Sequence, residues 1–160
     1  MIRLLTGSTH TGKTLLAQRL LERHGAPYLS IDHLKMGLIR SGMCPLTPES
    51  TDEALTAVLW PVVREIVKTA VENGQSLTVE GCYIPFNWRE DFDASCLPHI
   101  RFLCLVFSEA YIRTRFDTIQ THANAIERRK DDSFCTMELL LAENRRNLEA
   151  CRRRGLPYYL

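Results

Sequence analysis

The chain has 160 residues, of which 45% are hydrophobic and 24% charged, and its formal net charge is +1. This length and composition predict one globular domain, spanning residues 1–160, with a sizeable core. The near-neutral charge gives no electrostatic reason to expect binding to nucleic acid or to a membrane, and no apolar run approaches the roughly 20 residues of a membrane span. The chain opens on an apolar run with no signal-peptide pattern. Six cysteines without a C-x-x-C pair favour a reduced, cytoplasmic compartment over a zinc site.

The first predicted elements surround a glycine-containing segment. Residues 1–6 form a short apolar run typical of a buried strand, and residues 15–23 carry leucines at helical spacing. The segment between them fits the phosphate-binding pattern G-x-x-x-x-G-K-[ST], with Gly7, Ser8, Thr9, His10, Thr11, Gly12, Lys13 and Thr14. A strand, a glycine loop and a helix in this order are the context that the motif requires.

The backbone of this segment determines its chemistry. Gly7 and Gly12 allow dihedral angles that a β-carbon forbids, so successive N–H groups can point inward and form an anion nest at the start of a helix. Lys13 is expected to reach the β- and γ-phosphates of ATP and to act in catalysis, while the Thr14 hydroxyl ligates Mg²⁺. We therefore predict that all eight residues of the segment bind ATP, with Mg²⁺ as the second cofactor.

The rest of the chain alternates between strand and helix patterns. Strands are predicted at residues 28–31, 76–81, 100–107 and 158–160; helices are predicted at residues 33–40, 52–72, 86–95, from 108 onward, and 137–153. Such alternation predicts a parallel sheet covered by helices on both faces. Ligands in such sheets bind beyond the carboxyl ends of the strands, which directs attention to the residues at those ends.

Five residues at two of these strand ends are candidates for substrate binding. Asp32 could accept the proton of an attacking hydroxyl or hold a substrate, and it could equally cap the next helix. Lys35 and Arg40 could hold an anionic acceptor or form a solvated face with a local ion pair. Glu80 suits a magnesium or substrate contact, and Gly81 would let a ligand approach the backbone; an ordinary turn is the alternative.

Arginines after the fourth predicted strand could stabilise a transferring phosphoryl group. The forked guanidinium group matches phosphate oxygens, and a mobile cover that carries arginines would exclude water. Arg113 and Arg129 are the candidates for this catalytic role, whereas Arg115 fits a solvated helix. The run of arginines at residues 152–154 ends a helix, where cations complement the dipole, so it does not by itself indicate nucleic acid binding.

These residues together resemble the small P-loop kinases of the adenylate-kinase-like group, which includes nucleoside monophosphate, shikimate and gluconate kinases. The loop at residues 7–14 carries the resemblance most specifically. Residues 30–35 are similar to the acceptor-binding helix, residues 108–113 to the segment that opens the lid with an adenine-packing arginine, and residues 129–132 to the R-K-D-D string that closes it. Residues 80–85 depart from the D-G-F-P-R of nucleotide kinases and contain no arginine, which argues against a nucleoside monophosphate acceptor.

The resemblance implies a three-layer α/β/α P-loop NTPase fold. Its five-stranded parallel sheet would have the order 2-3-1-4-5, with a short lid at about residues 118–134, ATP and Mg²⁺ at the loop, and residues 155–157 near the adenine. The expected function is an ATP-dependent kinase that phosphorylates a hydroxyl or phosphate group of a small molecule by in-line transfer. The alternatives are an ATP-binding module or slow NTPase without an acceptor, and a kinase acting on nucleic-acid ends or another large acceptor. The sequence does not indicate an oligomeric state.

Overall fold

A single parallel sheet is the frame of the molecule. The computed structural model describes residues 1–122 and 134–160. Within those ranges the strands are β1 (Ile2–Gly7), β2 (Tyr28–Ser30), β3 (Leu77–Glu80), β4 (Ile100–Leu105) and β5 (Tyr158–Tyr159). They lie in the order β2-β3-β1-β4-β5, and every neighbouring pair is parallel. The predicted fold class and strand order are therefore confirmed.

Helices connect and cover these strands. The same ranges contain α1 (Lys13–His24), α2 (Ile31–Arg40), α3 (Asp52–Glu72), α4 (Glu109–Thr121) and α5 (Met137–Arg154). Three of them begin at a hydroxyl side chain that accepts a backbone N–H of the first turn, and these caps are Thr51, Ser108 and Thr136. No helix in the described part of the chain combines the length and the apolar character needed to cross a bilayer.

The largest hydrophobic core lies between the sheet and α3. Leu4 and Val79 from the strands contribute to it together with Leu59 and Val63 from α3, and all four are at most 1% exposed. A second cluster joins α4 to α5 around buried isoleucine and leucine side chains. These apolar faces account for the helical spacing in the sequence and hold the carboxyl ends of the strands at one edge of the sheet.

Several element boundaries differ from the sequence-based expectation, as at β4, which ends at Leu105 rather than at residue 107, and two of the differences change the setting of the residues concerned. Helix α2 begins at Ile31 rather than at residue 33, because Ile31 is fully buried in the core and Ser30 takes the N-cap position. Asp32 therefore lies inside the first helical turn instead of at a strand exit. The helix predicted at residues 86–95 shortens to a 3₁₀ turn at Trp88–Asp91, because its aromatic side chains turn into the core, where Trp88 stacks on Phe102.

Candidate active site

The glycine loop packs tightly against the end of β4. Gly7 has a φ of +144°, and a β-carbon there would lie 2.3 Å from the Leu105 carbonyl oxygen, so only glycine fits. Gly12 has a φ of +82°, and His10 adopts the left-handed region with a φ of +63°. Histidine tolerates this conformation better than most residues. The loop thus curls as a phosphate-binding nest requires.

Lys13 is held inside this loop. The residue is only 8% exposed, and its Nζ donates a hydrogen bond to the Ser8 carbonyl oxygen at 2.8 Å. The Thr11 hydroxyl donates to the same oxygen at 2.8 Å. One backbone carbonyl therefore holds the two side chains that flank Gly12. Phosphate oxygens are stronger partners for an ammonium group than a neutral carbonyl, so the Lys13 contact suits exchange for an anionic ligand.

Helix α5 supports the loop with two adjacent residues that the sequence analysis missed. Asn144 donates from Nδ2 to the Ser8 hydroxyl at 2.7 Å, and Glu143 accepts the Thr9 N–H at Oε2 over 3.4 Å. Burial raises the pKa of Glu143 against the lowering effect of the Thr9 hydrogen bond. The sequence contained a signal that could have identified Asn144. It is a polar residue on the apolar face of a helix, four residues from both Leu140 and Leu148.

His10 connects the loop to the segment just before α5. Its Nδ1 lies 2.9 Å from the Thr9 hydroxyl and 3.4 Å from the Cys135 thiol, which is almost fully buried. The ring therefore turns back over its own loop and contributes to the loop's shape.

Asp32, Lys35 and Tyr83 form a second polar group beyond the ends of β2 and β3. The Lys35 Nζ donates to Asp32 Oδ1 at 2.6 Å and to the Tyr83 hydroxyl oxygen at 2.9 Å. Burial lowers the pKa of Lys35, but the charge and hydrogen bond of Asp32 outweigh burial and raise it above its ordinary value. Burial raises the pKa of Tyr83 to about 12, so its phenol stays protonated and can donate a hydrogen bond. Lys35 thus anchors one carboxylate that is still 46% exposed.

The other residues predicted to bind substrate are more dispersed. Glu80 is 2% exposed and pairs in register with Leu5 and Ser30, so it lies at the carboxyl edge of the sheet. Gly81 follows it, and its φ of +157° and close packing on the start of α2 require glycine. Arg40 is exposed at the last residue of α2, about 140° around the helix from Lys35. The structure joins Asp32 to Lys35 but does not bring Arg40 to them.

The two polar groups lie at the carboxyl edge of the sheet, one beyond β1 and the other beyond β2, and Cys82 follows the end of β3, the strand between those two. Burial raises the pKa of this thiol, the positive charge of Lys13 lowers it, and the negative charges of Asp32, Glu143 and Asp52 raise it further. One side chain therefore lies within electrostatic range of both the loop lysine and the α2 carboxylate.

Of the two predicted catalytic arginines, the structure describes one. The Arg113 side chain is 55% exposed, and its Nη2 donates to Glu109 Oε1 at 2.8 Å on the same helix. Arg129 and the string that closes the lid lie outside the described residues. The catalytic role of both arginines stays a prediction.

A cavity of about 590 Å³ opens beside the loop, between β4, α4 and the end of the chain. Its lining includes Thr11, Leu16, Phe107, Tyr111 and Tyr159. The Phe107 and Tyr111 rings are in contact, with centroids 5.0 Å apart. The cavity is apolar and aromatic, and Thr11 belongs both to its lining and to the glycine loop.

A magnesium ion at this site would depend on few protein ligands. Within residues 1–122 and 134–160, no group of three or more His, Cys, Asp or Glu side chains is arranged to hold a metal. Thr14 follows Lys13 in the first turn of α1 and is partly buried. Mg²⁺ prefers oxygen ligands and is commonly held by one or two protein groups together with substrate phosphates, so a hydroxyl at this position fits it.

Comparison with known proteins places this geometry in a structural context. No family model and no curated protein sequence matches the chain. Among solved structures, a shikimate kinase from Bacteroides thetaiotaomicron is 10% identical with a TM-score of 0.56, covering 99% of this chain and 83% of that one. A protein from Chloroflexus aurantiacus that is inferred to be a kinase is 22% identical with a TM-score of 0.53, covering 89% and 78%. The chain has the fold of the small P-loop kinases.

A gluconokinase from Sinorhizobium meliloti is also similar, at 17% identity and a TM-score of 0.46, over 96% of this chain and 93% of that one. The two structures with TM-scores above 0.5 show a shared fold, and identities of 10% and 22% leave the chemistry to be argued from the site itself.

Proposed function

We propose that the protein is an ATP- and Mg²⁺-dependent kinase that transfers the γ-phosphoryl group to a hydroxyl or phosphate group of a small molecule. The observation that carries this proposal is the placement of two polar groups at one edge of the sheet. A buried lysine in the glycine loop follows β1, and an anchored, half-exposed carboxylate follows β2, with only β3 between those strands. Phosphoryl transfer needs this pairing of a donor cradle with an acceptor-orienting group.

On the donor side, the loop N–H groups and the amino end of α1 would bind the phosphates of ATP. Lys13 would leave the Ser8 carbonyl oxygen and follow the β- and γ-phosphates as negative charge develops on them. Thr14 would hold Mg²⁺, which when bound neutralises part of the phosphate charge. The base would enter the aromatic cavity and stack beside Tyr111.

On the acceptor side, Asp32 would orient the attacking oxygen and receive its proton. Oδ1 is engaged by Lys35, which leaves Oδ2 for the acceptor. The acceptor oxygen would bond to the γ-phosphorus as the bond to the β–γ bridging oxygen breaks, and ADP would leave with that electron pair. The positive charge of Lys35 keeps the carboxylate in place during the transfer.

Arg113 and Arg129 would close over the transferring group. For Arg113 this requires release from Glu109, and an ion pair this exposed contributes little to the stability of the protein. The cost of moving Arg113 is therefore small compared with a charge-assisted contact to a phosphoryl group.

Two substitutions test the assignment. Lys13→Ala should abolish turnover, because the developing charge loses its main cation. Asp32→Asn should lower phosphoryl transfer by about 10²-fold or more while ATP binding stays near the wild-type level. The measurements are ADP release in a coupled assay and ATP binding by calorimetry. Transfer at the wild-type rate in Asp32→Asn would refute the role given to Asp32.

A panel of acceptors separates a kinase from an ATP-binding module or slow NTPase. Sugars, hydroxy acids and phosphate esters should be tested with Mg²⁺-ATP for stimulated ADP release. A kinase shows stimulation by at least one class and a phosphorylated product, whereas an NTPase shows the same slow release with all of them. Binding to nucleic-acid ends would instead show a steep dependence on salt.

A further inference from the structure

Asn144 carries an amide into the interior of the protein. It lies on α5 between the apolar residues Leu140 and Leu148, and it is 2% exposed. Burying an amide is unfavourable unless its donors and acceptor are satisfied. Here Nδ2 donates to the Ser8 hydroxyl at 2.7 Å and to the Leu140 carbonyl oxygen at 2.8 Å, and Oδ1 accepts the Phe107 N–H at 2.7 Å.

The backbone fixes which way this amide points. The Leu140 carbonyl can only accept a hydrogen bond and the Phe107 N–H can only donate one, so the opposite orientation would break both contacts. Nδ2 must therefore face the Ser8 hydroxyl, whose own hydrogen is directed to the Thr9 carbonyl oxygen at 3.4 Å. The orientation of the amide is therefore set by the Leu140 carbonyl and the Phe107 N–H, both of which lie outside the loop.

Ser8 is also the residue on which the inside of the loop converges. Its carbonyl oxygen accepts from both Lys13 Nζ and Thr11 Oγ1, each at 2.8 Å. A shift of Ser8 would move the lysine and the threonine together. On its other side, Asn144 holds Phe107, whose ring lines the aromatic cavity.

We propose that Asn144 is a positioning residue for the phosphate end of the nucleotide, an inference that rests on the proposed function. It contacts no phosphate itself. It holds Ser8 so that the loop N–H groups and Lys13 converge on a polyphosphate.

The test compares Asn144→Ala with Leu148→Ala, a partly buried position on the same helix that packs against the main hydrophobic core. Calorimetry measures Mg²⁺-tripolyphosphate and Mg²⁺-ATP, and ligand-observed NMR measures adenosine, all below the melting temperature of each variant. Asn144→Ala should weaken tripolyphosphate and ATP about tenfold, since hydrogen bonds that shape the loop are lost, and leave adenosine within about twofold. Leu148→Ala should lower stability and leave all three affinities near the wild type.

Two results would overturn the inference and indicate a general packing role. One is an equal loss of affinity for tripolyphosphate and adenosine in Asn144→Ala, and the other is a selective loss of tripolyphosphate affinity in Leu148→Ala as well. If Asn144→Ala does not fold, Ser8→Ala removes the hydroxyl while Asn144 keeps its bond to Leu140. Ser8→Ala should also weaken tripolyphosphate selectively, and wild-type affinity in this variant would overturn the inference. Failure of the wild-type protein to bind ATP or tripolyphosphate would refute the proposed function itself. If the wild type binds both ligands and Asn144→Ala binds them equally well, only the inference about Asn144 is refuted.

Discussion

At the scale of single residues, Glu143 places a carboxylate on the backbone of the phosphate loop. It accepts the Thr9 N–H at 3.4 Å, and the same N–H group is available to an anionic ligand. Burial raises the pKa of Glu143, and the negative charge of Asp52 adds to the increase; the Thr9 hydrogen bond and the charges of Arg146 and Lys13 lower it. Because the net direction is upward, an ATP molecule would compete for this N–H group with a carboxylate whose pKa lies above the ordinary glutamate value.

This competition predicts a pH dependence for ATP affinity. Wild-type affinity should increase as pH falls towards the raised pKa of Glu143, because the protonated side chain no longer repels phosphate. Glu143→Gln should bind ATP about three- to tenfold more tightly at about pH 8, and it should lose the part of the pH dependence that Glu143 contributes to the wild type. Calorimetric titrations between about pH 8 and pH 5 provide the measurement, with Glu149→Gln, exposed on the same helix, as the control. The same pH dependence in the wild type and in Glu143→Gln would assign the titration to another group or to ATP itself.

The same raised pKa sets the sign of a stability change. The folded state binds this proton more tightly than the unfolded chain does. The contribution of Glu143 to the free energy of unfolding therefore falls as pH rises from the ordinary glutamate value through the raised pKa. Denaturant unfolding at several pH values should show this contribution in the wild type and its loss in Glu143→Gln.

Tyr83 provides a second prediction at the residue scale. Tyr83→Phe removes the hydroxyl that accepts from Lys35 but keeps the ring, whose centroid lies 5.1 Å from Nζ. The Asp32–Lys35 contact should remain but become less rigid, so acceptor-dependent kcat/KM should fall about three- to tenfold while ATP affinity is unchanged. Steady-state kinetics and calorimetry check this, with Tyr158→Phe as the control. A change confined to ATP affinity would contradict the acceptor-side assignment.

At the scale of elements, the turn after β3 and the start of α2 depend on each other. A β-carbon on Gly81 would lie 2.9 Å from the Cβ of Ile31, which is fully buried and cannot retreat. Gly81→Ala should therefore lower the free energy of unfolding by about 1–3 kcal/mol and disturb Asp32, the next residue along α2. At Gly42, beyond the other end of α2, the φ is +76° and nothing lies within 4 Å of an added Cβ.

Gly42→Ala is thus the matched control, with a cost of about 1–2 kcal/mol from backbone conformation alone. Urea unfolding compares the stabilities, and the acceptor-dependent rate reports on Asp32. A decrease in rate specific to Gly81→Ala supports the coupling between the turn and α2. Equal effects of the two substitutions on stability and rate would contradict it.

Local patterns in the sequence predict the elements better than their ends. The alternation of apolar runs and helical spacing anticipated every strand in the described ranges, and α3 was expected with the bounds it has. The start of α2 was missed because the burial of Ile31 is a tertiary effect that no local pattern records. The strand order came from the resemblance to a known fold, since neighbouring strands such as β1 and β4 are far apart in the chain.

The candidate site divides in the same way. Lys13 belongs to the loop motif, and Asp32 and Lys35 follow the end of a predicted strand, so their positions in the sequence identified them as candidates. Asn144 and Ser8 are 136 residues apart, and only the packing of α5 against the sheet brings them together. Tyr83 and Lys35 are likewise 48 residues apart in the chain, and only the tertiary fold brings them into contact. Contacts between distant elements supply the groups that orient the predicted ones.

At the scale of the whole molecule, ligand binding should stabilise the fold as a unit. The nest, the base cavity and the α5 contacts form only when the carboxyl edge of the sheet is assembled. ATP should therefore bind the folded state and not the unfolded chain. At a free Mg²⁺-ATP concentration 100 times Kd, the free energy of unfolding should increase by about 2.7 kcal/mol. For a chain of this length, each kcal/mol corresponds to about 2–4 °C, so Tm should rise by about 5–11 °C.

Comparing ligands in the same thermal unfolding experiment shows which parts of the site contribute. Tripolyphosphate would occupy only the glycine loop, so it should raise Tm less than ATP does, because it leaves the aromatic cavity empty. Lys13→Ala should lose most of both shifts, since it removes the cation that either ligand uses. Equal shifts with ATP in Lys13→Ala and the wild type would mean that ATP binds elsewhere, because a ligand can stabilise the fold only through groups it contacts in the folded state.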